Sequence, residues 1–189
     1  MVNLPKALLL IDIQNDYFEG GKSPLPHSQD ALAKAQNALY TFRMAGLPVI
    51  HVQHVNIRKG AAFFLPDTDG VRIHENLTPL ESEFIVVKHA PNSFYETGLA
   101  GLLEWNQINE LIVCGMMSHM CVDTTVRAAK DHGISVTLLE DACAAKDLVW
   151  NKETIPAETV HKTFMAALNG MFAKVRKTDE FLGKLYKEP

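Results

Sequence analysis

Short apolar runs alternate with helix-patterned stretches along this chain, and that alternation restricts the fold more than any other feature. Ala7-Leu-Leu-Leu-Ile-Asp12, Pro48–Val55, Phe84-Ile-Val-Val-Lys88, Glu110–Gly115 and Ser135–Glu140 each read as a strand, the first with the continuous apolar pattern of one covered on both faces. Between them, Asp30 can cap a helix through about Ala45, with Leu32, Ala35, Leu39 and Phe42 on one face and Gly46 as its stop. Further helices are predicted over about Glu96–Trp105, Met120–His132 (stopped by Gly133) and Pro156–Asn169, the last with Val160, Phe164 and Ala167 on one face. Ala173–Arg176 reads as a short sixth strand, and Thr178 caps a terminal helix. Strands alternating with helices imply an α/β fold: a doubly wound parallel sheet in a three-layer α/β/α arrangement, joined by right-handed crossovers. A length of 189 residues fits a single domain, 1–189.

Composition excludes several function classes. A formal net charge of -4, without a dense block of Lys and Arg, gives no reason to expect nucleic-acid or anionic-membrane contact. No apolar run approaches the length of a membrane span, and Met1–Lys6 has no basic n-region followed by an h-region. The 3 cysteines, Cys114, Cys121 and Cys143, include no C-x-x-C pair, which suits a reducing cytoplasm and argues against a disulfide framework or a zinc knuckle. Cys114 reads as core. Cys143, in Asp141-Ala-Cys-Ala-Ala145, reads as close packing or pocket wall.

In parallel α/β sheets the site forms at the carboxyl ends of the strands. Three chemically capable residues lie there: Asp12 after the first strand, Lys88 at the end of the third and Cys121 after the fourth. A thiol at a helix N-terminus is expected to have a lowered pKa. Asp12 can take its proton, and Lys88 can stabilise both charges. The residues alone leave other roles open: Cys121 as a small core residue, Asp12 as a turn cap, Lys88 as a strand-end lysine reaching solvent.

Three motifs then add to this reading. Gly115-Met-Met-Ser-His-Met-Cys121-Val122 resembles the G-x-x-[ST]-x-x-C-V signature of the isochorismatase-like cysteine hydrolases. Leu9-Leu-Ile-Asp12-Ile-Gln-Asn-Asp-Tyr-Phe18 resembles that family's D-x-Q-x-D-F opening, and Lys88-His-Ala-Pro-Asn-Ser-Phe94 its lysine segment. The resemblance runs from about Lys6 to Thr178 and implies a six-stranded sheet of order 3-2-1-4-5-6 and a catalytic triad of Asp12, Lys88 and Cys121. It also implies a cis peptide at Met116–Met117, oxyanion donors at the backbone N–H groups of Met117 and Cys121, and a homo-oligomer, dimer or tetramer. By this likeness Cys121 attacks a small-molecule amide or carbamoyl-type carbon, an amine or ammonia leaves, and water hydrolyses the thioester. Vinyl-ether hydrolysis through Asp12 and a catalytically silent scaffold are the alternatives. No cofactor is implied. The metal-binding D-x-H pattern of the nicotinamidase branch has no counterpart in His51-Val-Gln-His54-Val-Asn-Ile-Arg58, and His51 and His54, at i and i+3 on a strand, point to opposite faces.

Around the triad, Gln14, Phe63 and His119 are the expected substrate-pocket residues. The long irregular stretch Asn56–Pro79, with its Phe63-Phe64-Leu65-Pro66 cluster, is expected to pack down as a compact loop or to serve as a lid or subunit contact.

Overall fold

A computed structural model describes residues 5–185; most of the stretch read above for a secretory signal, 1–4, and the ends of the single-domain reading lie outside the described residues. The main sheet contains β1 (Lys6–Ile11), β2 (Val49–His54), β3 (Phe84–Lys88), β4 (Glu110–Met116) and β5 (Ser135–Ala144). A hairpin, β6 (Leu148–Trp150) and β7 (Glu153–Ile155), and then β8 (Lys174–Arg176) complete the strands. The six-stranded sheet has the order β3-β2-β1-β4-β5-β8, every adjacent pair parallel. This is the predicted order, with β8 as the sixth strand. The antiparallel β6–β7 hairpin was not anticipated, because each arm is only 3 residues long and too short for a readable period.

The helices are α1 (Ser28–Met44), α2 (Leu99–Trp105), α3 (Asp123–Asp131), α4 (Ala157–Leu168) and α5 (Thr178–Leu185). The β1–α1–β2 connection runs one way along the sheet and β4–α3–β5 the other. Right-handed crossovers therefore put α1 and α3 on opposite faces. Leu32, Ala35, Leu39 and Phe42 of α1 are all buried, as their spacing predicts. Burial of a full Leu or Phe side chain contributes about 1.5–3 kcal/mol, so this one stripe holds α1 to the sheet.

Several boundaries differ from expectation. α1 begins two residues before Asp30, with His27 at its N-cap in a left-handed conformation, so Asp30 lies in the first turn and favours the dipole instead of capping. β5 continues to Ala144, carrying Cys143 beside Gly115. On α4 the buried residues are Ala157, Val160, Met165 and Leu168, while Ala167 is exposed. No helix among the described residues is long and apolar enough to cross a membrane.

The order in which successive strands are added reverses between β1 and β4, the place where doubly wound sheets open a crevice. Gly115 sets the spacing there. It lies opposite Ile11 in the register at φ 138°, and a Cβ at this position would collide with the Ile11 carbonyl. The two strands can thus approach closely where β1 ends and Asp12 begins.

Candidate active site

Asp12 follows directly on β1 with φ 51°, a left-handed conformation that turns its carboxyl over the strand ends. Lys88 is the last residue of β3, pairs in register with His54 at the end of β2, and is fully buried. Cys121 does not stand on a regular helix. It lies in a π-helical turn, Ser118–Val122, that enters α3, and the peptide bond between Met116 and Met117 just before this turn is cis. Ser118 anchors the turn. Its hydroxyl donates to Ala144 O at 3.1 Å, which leaves it an acceptor for Nδ1–H of His161 on α4, 2.8 Å away.

These elements bring Asp12, Lys88 and Cys121 together. The Lys88 ammonium lies 2.7 Å from Asp12 Oδ2, with both side chains wholly buried. Its three protons have three acceptors: His54 Nδ1 at 2.9 Å, Ala90 O at 3.0 Å and Cys121 Sγ at 3.2 Å. Asp12 is therefore held by charge at short range, yet neither of its oxygens has a hydrogen bond in good alignment. Burying a carboxylate is costly, and the short pairing with Lys88 is what offsets that cost here. The coordinating atoms of Asp12, Cys121 and His54 lie within 4.8 Å of one another. That trio is also a possible metal-donor set, but the Lys88 ammonium contacts all three members and already supplies the cation in their midst.

The electrostatics correct one expectation. Burial, the largest influence, pushes the Cys121 thiol well above its ordinary value; Asp12 adds to the rise, and Lys88 opposes it. A lowered thiol pKa from the helix N-terminus is not what the structure gives, because the sulfur is desolvated beside a carboxylate. Burial likewise raises Asp12 against the pull of Lys88. For Lys88, burial acts downward, but the attraction of Asp12 and Cys121 outweighs it and the ammonium is raised. Burial and then Lys88 hold His54 down to about 3, so its ring is neutral. Since Nδ1 accepts from Lys88, the His54 proton is assigned to Nε2.

A cavity of about 210 Å³ opens above Cys121. Tyr17, Phe63, Phe64, Met117 and Met120 wall it, and His54, Asn56 and Arg58 supply its polar side. Of the three expected pocket residues, Phe63 lines this cavity. Gln14 does not: it is buried, and its amide is used to bind both backbone groups of His54 and the Val71 carbonyl. His119 is also absent from the lining; it is buried with both ring nitrogens unpaired, its ring 6.0 Å from that of Phe164.

The 56–79 stretch is pinned down. Asp16 Oδ2 accepts from Phe64 N at 2.6 Å and Oδ1 from Lys22 N at 3.0 Å, while Asn15 N and Asp16 N donate to Arg72 O and Gly70 O. Phe64 then packs edge-on to Tyr17, with centroids 4.6 Å apart. The loop is thus packed core and cavity wall at once. A larger groove, about 830 Å³, lies between the 18–22 turn and this loop, but Asp12, Lys88 and Cys121 are not part of it. The chemistry belongs to the smaller cavity, where the thiol is. His54 and Tyr17 were missed from sequence. Counting strand lengths would have found His54, since it ends β2 as Lys88 ends the neighbouring β3.

Comparison with known proteins agrees with this architecture. The family model described as Isochorismatase domain matches residues 6–180. The isochorismatase family protein YddQ of Bacillus subtilis is 52% identical over 93% of this chain and 98% of its own. Streptothricin hydrolase of Streptomyces noursei is 33% identical over 93% of this chain and 60% of its own. A solved structure from Oleispira antarctica, assigned to the isochorismatase hydrolases, superposes with a TM-score of 0.92 at 42% identity, covering 97% of this chain and 98% of the other.

Proposed function

The chain belongs to the isochorismatase family of hydrolases, and from that premise we propose that it is a metal-independent cysteine hydrolase cleaving a C–N bond of a small amide or carbamoyl compound through a thioester on Cys121. One observation carries the reading: a buried thiol shares an ammonium with a buried carboxylate 2.7 Å from it. The relative named streptothricin hydrolase supports hydrolysis within this family.

In the proposed cycle the Cys121 proton passes to Asp12 as sulfur attacks the substrate carbonyl. The N–H groups of Met117 and Cys121 stabilise the oxyanion. Asp12 returns the proton to the leaving nitrogen, the C–N bond breaks, and an amine or ammonia departs. Water then attacks the thioester, with Asp12 taking its proton and handing it back to sulfur. Lys88 stays charged throughout and stabilises whichever partner is negative. His54 and Gln14 act through Lys88, fixing the direction of its protons. A homo-oligomer remains part of the proposal, and light scattering on the purified protein measures it.

A panel of small amides, scored by ammonia release and by intact mass of the acid-quenched protein, tests the reading. Turnover with at least one amide and an adduct on Cys121 is the expected outcome, both lost in Cys121→Ala. Turnover that persists in Cys121→Ala but vanishes in Asp12→Asn would overturn covalent catalysis.

A further inference from the structure

The cavity above Cys121 has apolar walls, no acidic lining residue and one solvent-facing charge, Arg58. Beneath it, Lys88 and Asp12 neutralise each other at 2.7 Å. Among the described residues, the carboxylates that form ion pairs do so with Lys34, Arg43, Arg72, Lys88, Arg127, Lys162 and histidines, and none of these pairs is with Arg58. Arg58 lines the opening, and its backbone is held there. Asn56 Oδ1 accepts from Arg58 N at 3.3 Å, and Asn56 N donates to Phe64 O at 2.8 Å, tying this short turn to the aromatic wall. Low-dielectric walls around an uncompensated cation focus its field into the cleft.

We infer that the substrate is an amide or carbamoyl compound bearing a carboxylate at the end remote from the scissile bond, and that Arg58, with Asn56, receives that carboxylate. The inference rests on the hydrolase reading above and narrows it to amides of small acids. A planar carboxylate matches the guanidinium fork, which presents paired N–H donors, while the aromatic and methionine walls accept an apolar body. Neutral amides of the same shape would enter without meeting this charge.

Paired alkylating reagents test this without needing the natural substrate. Iodoacetate and iodoacetamide share one reactive carbon and differ in a carboxylate against an amide; each would alkylate Cys121 with loss of iodide. The measured quantity is the ratio of their second-order rates at low ionic strength, by mass spectrometry of the Cys121 peptide. Arg58→Gln is expected to lower the iodoacetate-to-iodoacetamide ratio about five- to tenfold, between an exposed and a desolvated charge pair. Lys59→Gln, an exposed neighbour outside the cavity lining, controls for general surface charge and should leave the ratio within about twofold. An unchanged ratio in Arg58→Gln, or an equal fall in Lys59→Gln, overturns the inference. If neither reagent modifies Cys121, as a thiol that keeps its proton at rest would allow, the carboxylate site is judged from calorimetric titration with benzoate and benzamide. Benzoate binding more tightly than benzamide, with the preference lost in Arg58→Gln, supports the site; no preference for benzoate overturns it.

Discussion

Lys88→Met removes the ammonium at the centre of the site and retains an apolar stem of similar length. Asp12 then loses the counter-charge 2.7 Å from Oδ2, in a place where both side chains are fully buried. Its carboxyl already sits above its ordinary value of 3.8, because burial outweighs the attraction of Lys88. Without Lys88, only the Cys121 thiol still opposes burial, and the folded chain takes up a proton at Asp12. Holding that proton at pH 7, about three units above the ordinary value, costs about 4 kcal/mol at roughly 1.36 kcal/mol per unit. Removing one partner from a buried pair gives a similar figure, about 3–5 kcal/mol. A raised folded-state pKa means that the native state binds more protons than the unfolded one, so stability falls as pH rises beyond 3.8. The variant is therefore expected to lose about 4 kcal/mol relative to wild type at pH 7 and to regain up to about 1.4 kcal/mol for each unit towards pH 5. His54 Nδ1 and Ala90 O also lose their donor, which adds a part that does not vary in this way, so the slope is the diagnostic quantity. Urea unfolding followed by circular dichroism at pH 7, 6 and 5 measures it, and Asp12→Asn/Lys88→Met should flatten the slope. A loss below about 1 kcal/mol at pH 7, or one that is the same at pH 5 and pH 7, would refute the claim that Asp12 is a desolvated carboxylate dependent on Lys88.

Two further changes address the supports around the cavity. Asp16→Ala deletes the acceptor of both Phe64 N and Lys22 N, so stability should fall by about 2–4 kcal/mol and limited proteolysis should cut first within residues 56–79; uniform resistance of that loop would show that aromatic packing alone holds it. Glu83 pairs with Arg43 and His51; burial pushes its carboxyl up, but the bonds from Arg43, Leu80 N–H and His51 prevail and hold it down at about 2. A depressed folded pKa contributes stability above the ordinary 4.5 that is lost as pH falls through about 2, so acid unfolding between these values should weaken by about 2 kcal/mol in Glu83→Gln, and an unaltered acid limb would contradict the pairing.

The parts of this site that were legible in sequence are those fixed by strand ends. Asp12 and Lys88 terminate apolar runs, and a parallel sheet must deliver such residues to one edge. The motif resemblance supplied the sheet order and the link to Cys121, and β8 completes that order although it is only 3 residues long. What escaped notice depends on contacts between distant segments. Gln14 looks like a pocket residue because it stands two places beyond Asp12, but it points to His54 and Val71, 40 and 57 residues away. His119 neighbours the thiol in sequence, yet the π-helical turn carries Met120 to the cavity and buries His119 against Phe164. The pKa of Cys121 follows the same rule: a sequence pattern shows a helix start and not the desolvation around it, which reverses the shift.

That raised thiol pKa makes sense once the site is taken as one charge system. With Asp12 ionised, Lys88 protonated and Cys121 as thiol, the group is neutral overall. Moving one proton from sulfur to Asp12 leaves it neutral again, with the negative charge shifted from one neighbour of the ammonium to the other. In a buried site the expensive change is net charge, and this transfer creates none. In the proposed cycle a standing thiolate is therefore not needed: Cys121, almost fully buried, would keep its proton until a carbonyl is seated against it. The same arrangement explains why His54 must be neutral. A second cation beside Lys88 would favour both anions at once and pull the proton out of the shuttle, whereas a neutral ring accepting at Nδ1 fixes the ammonium's direction and leaves the balance between Asp12 and Cys121 untouched.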